Sequence, residues 1–312
     1  MIIINVAIFL VFFLILIKSA NKSVSYASGI AKVMYFQEFA ISFFIVSFIS
    51  VLPEASVSIM SAFNGTPELG LGTLFGSNVA DLTIIFGIVT LFSLKGIAVK
   101  SKILKNEYLY LILLFLPILL GLDGFYSRID GLVLIIASVI FFIKIFKDGK
   151  MHHRKYKKNK DNKLFVKILL LTIFIILLVI SSYYTVEYAD KISKDLNISI
   201  SFLGLTLISL GTCLPELFFS LNAVKKKHDD LALGDILGTV LTDVTLIVGI
   251  MAIIKPFSFN LNLIHFTAFS MFIAGLLVIL FTKTDKMLTK KEGILLILFY
   301  IIFLLLEFFI TN

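Results

Sequence analysis

The chain has 312 residues, of which 59% are hydrophobic and only 15% are charged, and its mean hydropathy is +1.04. Soluble domains carry about 25% charged residues, so this composition excludes a soluble globular protein and predicts one that lies in a lipid bilayer. The net charge of +8 gives no reason to expect nucleic-acid binding, because the basic residues lie between apolar segments and set membrane orientation.

Ten segments are apolar enough to span a membrane as helices, which requires roughly 20 residues each. They cover about 2 to 17, 35 to 63, 70 to 94, 106 to 122, 130 to 146, 165 to 184, 196 to 223, 231 to 254, 263 to 282 and 292 to 310. The first segment lacks the basic leader and small-residue cleavage site of a signal peptide, so we expect a permanent helix there. The sequence therefore predicts an all-α membrane protein with ten transmembrane helices.

The second half of the chain repeats the first at an offset of 162 residues. Residues 48 to 58 and 210 to 220 each place Leu-Pro-Glu inside an apolar run. Farther along, residues 71 to 87 align without a gap on residues 233 to 249. The chain is therefore a tandem duplication with acidic residues at equivalent places.

Each repeat holds five helices, an odd number, so the second repeat must enter the membrane from the opposite side. This arrangement is an inverted repeat, in which the two halves are related by an axis in the membrane plane. We expect a first repeat at residues 1 to 147, a basic linker at 148 to 163 and a second repeat at 164 to 312.

Most of the 28 Lys and Arg residues fall in alternate loops, together with the central linker. Cytoplasmic loops retain positive charge, so these loops are predicted to be cytoplasmic and both termini extracellular. The linker is expected to set topology, and binding of anionic lipid headgroups is the alternative. We expect a protein of the cell membrane in contact with lipid, and the sequence indicates no protein partner.

Four acidic residues lie within the apolar segments, namely Glu54, Asp81, Glu216 and Asp243. A carboxylate at the centre of a membrane helix costs about 2.5 to 3.5 kcal/mol on insertion scales. Such residues face the interior of the bundle and pair with a cation or bind a proton. These four acids are therefore the candidate functional residues.

Each of these acids has hydroxyl groups one helical turn away, on the same face. They are Ser50 and Ser58 around Glu54, Ser77 before Asp81, Thr212 and Ser220 around Glu216, and Thr239 before Asp243. Pro53 and Pro215 have no N–H to donate to the carbonyl four residues earlier, which leaves two more oxygens for a ligand. Such oxygen ligands suit Ca²⁺, Na⁺ or Mg²⁺, whereas zinc or copper would require imidazole or thiolate.

These motifs resemble the cation/Ca²⁺ exchanger superfamily, and most closely the prokaryotic and archaeal Na⁺/Ca²⁺ exchangers. GTCLPE at 211 to 216 is very like the GTSLPE of that family, and LALGDILGTVLTD at 231 to 243 is similar to the second part of its repeat. In the first copy, LPE at 52 to 54 and GSNVAD at 76 to 81 match. The resemblance extends over the whole chain.

The resemblance implies a ten-helix inverted repeat whose second, third, seventh and eighth helices hold ions at mid-membrane. Glu54 and Glu216 would bind Ca²⁺ and Na⁺ alternately, because the same oxygens cannot hold both ions. The remaining ligands implied by position are Asp81, Asp243, Ser50, Ser77, Thr212 and Thr239. The implied protein is a secondary active antiporter; it is not an enzyme, and it needs no cofactor other than the transported ions.

The sequence departs from the family pattern in both copies. Val51 and Cys213 stand where a hydroxyl residue is usual, which removes one potential ligand from each copy. Thr73 and Asp235 replace an Asn, and Asp235 adds a fifth candidate acid. More carboxylates than one divalent ion can neutralise would leave some protonated, so a Ca²⁺/H⁺ or other cation/H⁺ antiporter is the alternative.

Two functions of other classes fit less well. A passive cation channel would also use a ring of acids, but channels generally form such rings from identical subunits around an axis along the membrane normal. An inverted repeat favours alternating access instead. An intramembrane aspartyl protease would need a second motif that the residues around Asp235 match only in part.

Overall fold

The computed structural model describes residues 2–33, 47–98, 107–149, 164–284 and 287–311. The first half contains α1 (Ile2–Val33), α2 (Ser47–Ser50), α3 (Leu52–Asn64), α4 (Pro67–Ala80), α5 (Phe86–Phe92), α6 (Glu107–Leu120) and α7 (Arg128–Gly149). The second half contains α8 (Leu164–Leu196), α9 (Ile200–Leu203), α10 (Ser209–Thr212), α11 (Leu214–Lys225), α12 (Asp229–Leu241), α13 (Val248–Ile254), α14 (Leu261–Thr284) and α15 (Lys290–Thr311).

The described residues also form three π-helical turns and four very short strands. The π turns are Asp81–Ile85, Gly204–Ile208 and Thr242–Ile247. The strands are β1 (Ile97–Ala98), β2 (Phe125–Tyr126), β3 (Phe257–Ser258) and β4 (Met287–Leu288). Helices α4 and α5 form one span with the turn between them, and α12 and α13 form its counterpart in the second half.

Seven stretches of the described chain are long and apolar enough to cross a membrane. The three remaining predicted spans are helical where they are described, as α2 with α3, as α6 and as α7. Residues 35 to 46, the first part of the predicted second span, lie outside the described residues, as does nearly all of the predicted linker. The prediction of an all-α protein built from two five-helix repeats is confirmed.

The predicted ends of the first and sixth spans were wrong. Hydropathy placed the first end near residue 17 and the sixth near residue 184, whereas α1 continues to Val33 and α8 to Leu196. The extension of α1 is rich in Ser, Ala and Lys, and the extension of α8 is rich in Lys, Asp and Glu. These residues lower hydropathy without preventing helix formation. An apolar window detects only the lipid-facing part of such a helix.

Helices α1 and α8 pack against each other along their length and run in opposite directions. Near one end, Asn5 donates a hydrogen bond to Asp195 at 2.8 Å. Phe12 stacks on Tyr184, with ring centroids 4.4 Å apart. Toward the other end, Tyr26 stacks on the Phe174 ring. The first helix of each repeat is therefore antiparallel to its counterpart, as an inverted repeat requires.

The strands form two antiparallel sheets, each joining one half of the chain to the other. Strand β1 pairs with β4, and β2 pairs with β3. At the offset of 162 residues, β2 falls on β4 and β1 falls two residues beyond β3, so the two sheets occupy equivalent places in the repeat. One sheet therefore lies at each end of the pseudo-symmetric bundle.

Glycines permit a second set of crosswise contacts between the halves. A Cβ on Gly87 would lie 2.6 Å from the carbonyl oxygen of Gly293, and a Cβ on Gly131 would lie 2.7 Å from that of Gly249. These two pairs are also equivalent in the repeat. Backbones at such distances leave no room for a side chain, so α5 packs closely on α15, and α13 on α7.

Gly72 and Gly76 of α4 allow another close contact between helices. A Cβ on Gly72 would lie 2.6 Å from the Ser201 carbonyl, and a Cβ on Gly76 would lie 2.5 Å from the Leu205 carbonyl. From the other side, Gly204 faces the Leu69 carbonyl. This glycine contact holds α4 against the seventh span.

Replacing Gly204 by Ala should destabilise the protein, because the new methyl group would lie 2.4 Å from the Leu69 carbonyl oxygen. Overpacking of this kind costs about 1 to 3 kcal/mol. We expect a lower melting temperature in detergent. Leu207→Ala on the same turn is the control, since Leu207 is 45% exposed on the lipid-facing surface. An equal loss in both variants would contradict a specific backbone contact.

Candidate functional site

The second and seventh spans are both interrupted immediately before their Leu-Pro-Glu motifs. Helix α2 ends at Ser50 and α3 begins at Leu52; in the repeat, α10 ends at Thr212 and α11 begins at Leu214. Proline is favoured in the first turn of a helix, where its missing N–H costs nothing. The motif therefore starts a new helix in each copy.

The interruptions place Glu54 and Glu216 in the first turns of α3 and α11. The N-terminal end of a helix carries unpaired N–H groups and a partial positive charge. This end favours a negatively charged side chain nearby. The break in each span thus provides a local reason for a carboxylate to lie inside an apolar protein.

Asp81 and Asp243 lie in π-helical turns at equivalent places in the third and eighth spans. Asp81 begins the turn Asp81–Ile85, and Asp243 is the second residue of Thr242–Ile247. A π turn inserts a residue into the helix, changes the direction of its side chains and occurs often at functional sites. Each Asp is therefore positioned by an irregularity that both copies share.

The acids of the two halves meet crosswise at the centre of the bundle. Helix α3 contacts the π turn that contains Asp243, and α11 contacts the turn that contains Asp81. Asp243 interacts electrostatically with both Glu54 and Asp81. Glu216 interacts with the same two acids. The structure therefore brings all four predicted acids into one cluster.

These four carboxylates are fully buried, and none of their oxygens accepts a hydrogen bond of normal geometry within the described part of the chain. Buried polar groups are nearly always paired, because an unpaired group loses its hydration without compensation. Neighbouring carboxylates also repel one another when they are ionised. The arrangement is therefore suited to receiving a positive charge.

The predicted hydroxyl residues lie one helical turn from the acids in sequence, and all are fully buried. Ser77 donates to the Leu74 carbonyl and Thr212 to the Ser209 carbonyl, so each retains its oxygen lone pairs. Thr212 also lies beside Glu54. The Thr239 hydroxyl has no partner of normal geometry in the described residues. These oxygens can add to a cation's coordination shell without losing existing bonds.

Asp235, the fifth acid, joins the two repeats directly. Its Oδ1 accepts a hydrogen bond from Ser50 at 3.0 Å, and it interacts electrostatically with Glu54. The equivalent residue of the first copy, Thr73, instead donates to the Leu69 carbonyl of its own helix. The cluster is therefore asymmetric, with the additional charge contributed by the second copy alone.

The acids do not form a preassembled metal centre of the zinc type. Among the described residues, no three His, Cys, Asp or Glu side chains converge closely enough to hold one ion between them. Hard cations such as Ca²⁺ also take hydroxyl and carbonyl ligands. A cation in this cluster would therefore combine carboxylate oxygens with those of the neighbouring Ser and Thr residues.

The structure adds polar groups that were not predicted. The Tyr110 and Tyr300 hydroxyls are buried without a hydrogen-bond partner among the described residues, and both tyrosines lie near Asp81. Asn78, next to Ser77, is likewise buried and unpaired. Asn78 could have been identified as an amide within an apolar run, but a tyrosine in a membrane helix gives no comparable signal.

Comparisons with known proteins agree with this arrangement. Residues 4–146 and 166–309 match the sequence profile of the family described as sodium/calcium exchanger protein. The chain is 26% identical to the sodium/calcium exchanger MaX1 of Methanosarcina acetivorans, covering 99% of this chain and 100% of that one. It is 28% identical to an uncharacterized membrane protein of Methanocaldococcus jannaschii, covering 97% of both.

A solved structure of the sodium-calcium exchanger NCX_Mj, soaked with 2.5 mM Na⁺ and 10 mM Sr²⁺, superposes with a TM-score of 0.71. The sequence identity is 26%, and the match covers 97% of this chain and 98% of that one. The similarity thus extends over both repeats and over all the elements that position the acid cluster.

Replacing Glu216 by Gln should raise the melting temperature of the cation-free protein, because it removes a buried carboxyl group that must otherwise repel its neighbours or bind a proton. The same change should remove most of the stabilisation caused by Ca²⁺, which for a bound ion at a hundredfold excess over its Kd is about 2.7 kcal/mol. Thermal unfolding in detergent with and without CaCl₂ measures both effects.

The matched control for this substitution is Glu307→Gln in α15. Glu307 is also buried, but Thr267 of α14 donates to its carboxylate. We expect this variant to retain the Ca²⁺-dependent stabilisation. Equal loss of that stabilisation in both variants would show that any buried glutamate matters, and the cluster would have no special role.

Proposed function

Because this chain belongs to the sodium/calcium exchanger family, we propose that it is a secondary active antiporter that exchanges Ca²⁺ for Na⁺ across the cell membrane. The observation that carries the proposal is the enclosure of four buried carboxylates, without hydrogen-bond partners among the described residues, between two interrupted helices and two π turns. Alternating access requires an ion-binding site at the centre of the inverted repeat, and these carboxylates attract cations to that place.

The proposed ion ligands are the residues that the cluster brings together. Glu54 and Glu216 act as the principal carboxylates, with Asp81, Asp243 and Asp235 around them. The hydroxyl ligands are Ser50, Ser77, Thr212 and Thr239. Together they offer the oxygen-only environment that Ca²⁺ and Na⁺ prefer.

Exchange follows from competition for these oxygens. One Ca²⁺ neutralises two carboxylates, and Na⁺ ions can neutralise the same groups one charge at a time. The empty cluster is unfavourable because its carboxylates repel one another, so release of one ion favours entry of the other. This condition couples the two fluxes and distinguishes an antiporter from a passive channel.

Helices α1 and α8 are the proposed moving part. They pack along each other, and their apolar contacts with α3 and the seventh span form a hydrophobic cluster separate from the main core. Phe13 of α1 lies on Gly211, where a Cβ would approach its ring to 2.0 Å. Because Gly211 directly precedes Thr212, movement of α1 would expose or cover the cluster.

The proposed topology follows from charge. The basic loops and the linker at 148 to 163 face the cytoplasm, and both termini lie outside. The linker joins a first repeat at residues 1 to 147 to a second at 164 to 312. With this orientation, the cluster alternately opens to the cytoplasm and to the exterior, and surrounding lipid is the only other contact that we propose.

Replacing Glu54 by Gln should abolish Ca²⁺ uptake into liposomes that contain the purified protein and an outward Na⁺ gradient. Two unit charges about 4 Å apart interact by about 4 kcal/mol at an effective dielectric constant of 20, which corresponds to roughly a thousandfold in affinity. Uptake of radiolabelled Ca²⁺ measures the effect, and Glu307→Gln should transport normally.

The counter-ion is tested in the same liposomes by replacing the Na⁺ gradient with an outward proton gradient. Uptake that requires Na⁺ supports the proposed exchange, whereas uptake driven by protons alone would assign the protein to the cation/H⁺ alternative. Uptake without any counter-gradient would identify a channel. Normal transport by Glu54→Gln would contradict the assigned site.

Replacing Asp235 by Asn should have a smaller effect than replacing Glu54. The Asn side-chain oxygen can still accept the Ser50 hydrogen bond, so the contact between repeats remains while one negative charge is lost. We expect Na⁺-driven uptake to continue with a Ca²⁺ KM raised several-fold. A complete loss of uptake would instead make Asp235 a principal ligand, and no change would remove it from the site.

A further inference from the structure

Cys213 occupies an unusual place for the only cysteine of the chain. It is fully buried at the break between α10 and α11, and its thiol donates a weak hydrogen bond to the Ser77 carbonyl oxygen at 3.5 Å. This contact crosses from the second repeat to the first. The thiol therefore lies in the interface where the two sets of proposed ligands meet.

An unpaired carboxylate lies beside this thiol. Asp81 is fully buried, and neither of its oxygens accepts a hydrogen bond of normal geometry within the described residues. Asp81 and Cys213 interact electrostatically with each other, and the thiol also interacts with Glu54 and Glu216. A sulfur, a carboxylate and a backbone carbonyl thus surround one point of the acid cluster.

This environment of Asp81 is present in only one half of the pseudo-symmetric site. Asp81 has Cys213, Tyr110 and Tyr300 around it. The residues that correspond to these three in the repeat are Val51, Phe272 and Ser138. Of the two sides, only the Asp81 side contains a thiol, so the two halves of the site differ in their ligand chemistry.

We infer that Cys213, Asp81 and the Ser77 carbonyl form a binding site for a soft divalent cation within the transport site. Thiolate ligands select soft metal ions, whereas carboxylate and carbonyl oxygens alone select hard ones. Cd²⁺ has nearly the size of Ca²⁺ but binds sulfur far more strongly. It would therefore enter where Ca²⁺ enters and remain bound.

When Cd²⁺ binds, the Cys213 sulfur loses its bond to hydrogen and gains a bond to the metal. The S–H bond breaks as the sulfur–metal bond forms, and the proton is released to solvent. Asp81 supplies a second, negatively charged ligand, and no oxidant or reductant takes part. The inference rests on the proposed function in one respect, namely that cations reach this cluster through the transport pathway.

The purified full-length protein in detergent allows a direct test with Cd²⁺ as the probe. A cadmium–thiolate bond gives an ultraviolet charge-transfer band, and because the chain has a single cysteine, this band can arise only from Cys213. We expect a saturable band in the unaltered protein and none in Cys213→Ser. Absence of the band at saturating Cd²⁺ would overturn the inference.

The variant Asp81→Asn distinguishes Cd²⁺ binding by both Asp81 and Cys213 from binding by the thiol alone. This variant keeps the cysteine, so the band should form. It should require a Cd²⁺ concentration on the order of tenfold higher or more, because losing a charged ligand costs at least as much affinity as losing an outer-shell partner. An unchanged titration would remove Asp81 from the site and overturn the assignment. Thermal unfolding in detergent verifies that each variant is folded.

Transport provides an independent measurement. Cd²⁺ should inhibit radiolabelled Ca²⁺ uptake, and the ratio of the half-inhibitory Cd²⁺ concentrations of Cys213→Ser and the unaltered protein should be about ten or more. Equal inhibition would contradict a role of the thiol in ion selection. If the protein takes up no Ca²⁺, the proposed function fails, while the absorbance titration still decides whether Cys213 and Asp81 bind the soft cation.

Discussion

The burial of neighbouring carboxylates, which have no hydrogen-bond partners in the part of the chain that the structure describes, is the constraint on which the rest of this structure depends. Each of Glu54, Asp81, Glu216 and Asp243 has left water for a fully buried position. Insertion scales give a free-energy cost of about 2.5 to 3.5 kcal/mol for each acid at the centre of a membrane helix. The interrupted helices, the π turns and the glycine contacts hold these carboxylates together at the place where a cation can bind them.

The backbone contributes as much to the cluster as the side chains do. Regular helices crossing at this point would present their carboxylates along fixed ridges and keep their carbonyl oxygens bonded within the helix. The breaks before Leu52 and Leu214 place helix N-termini at the cluster, and the π turns redirect Asp81 and Asp243. Irregular backbone at membrane depth is tolerated here because protein surrounds it.

Much of this arrangement could be predicted from sequence, because a duplicated pattern reveals both membrane spans and equivalent positions. The acids Glu54 and Glu216 were identified by the free-energy cost of a carboxylate in lipid, and the prolines indicated carbonyl oxygens without a helical hydrogen bond. The breaks before Leu52 and Leu214 were not predicted. The π turns could not be predicted, since they depend on how whole spans pack. The positions of Tyr110 and Tyr300 near Asp81 depend on helices distant in sequence, and the length of α1 depends on its packing against α8.

The crosswise sheets and glycine pairs also bear on the origin of the chain. Each interface, β1 with β4 or Gly87 with Gly293, takes one partner from each half and has an equivalent elsewhere. Two separate copies of an ancestral half, inserted in opposite orientations, could therefore make the same contacts as a dimer. Fusing their genes frees the copies from being identical, and the pairs Thr73 with Asp235 and Val51 with Cys213 mark where that ancestral symmetry has been lost.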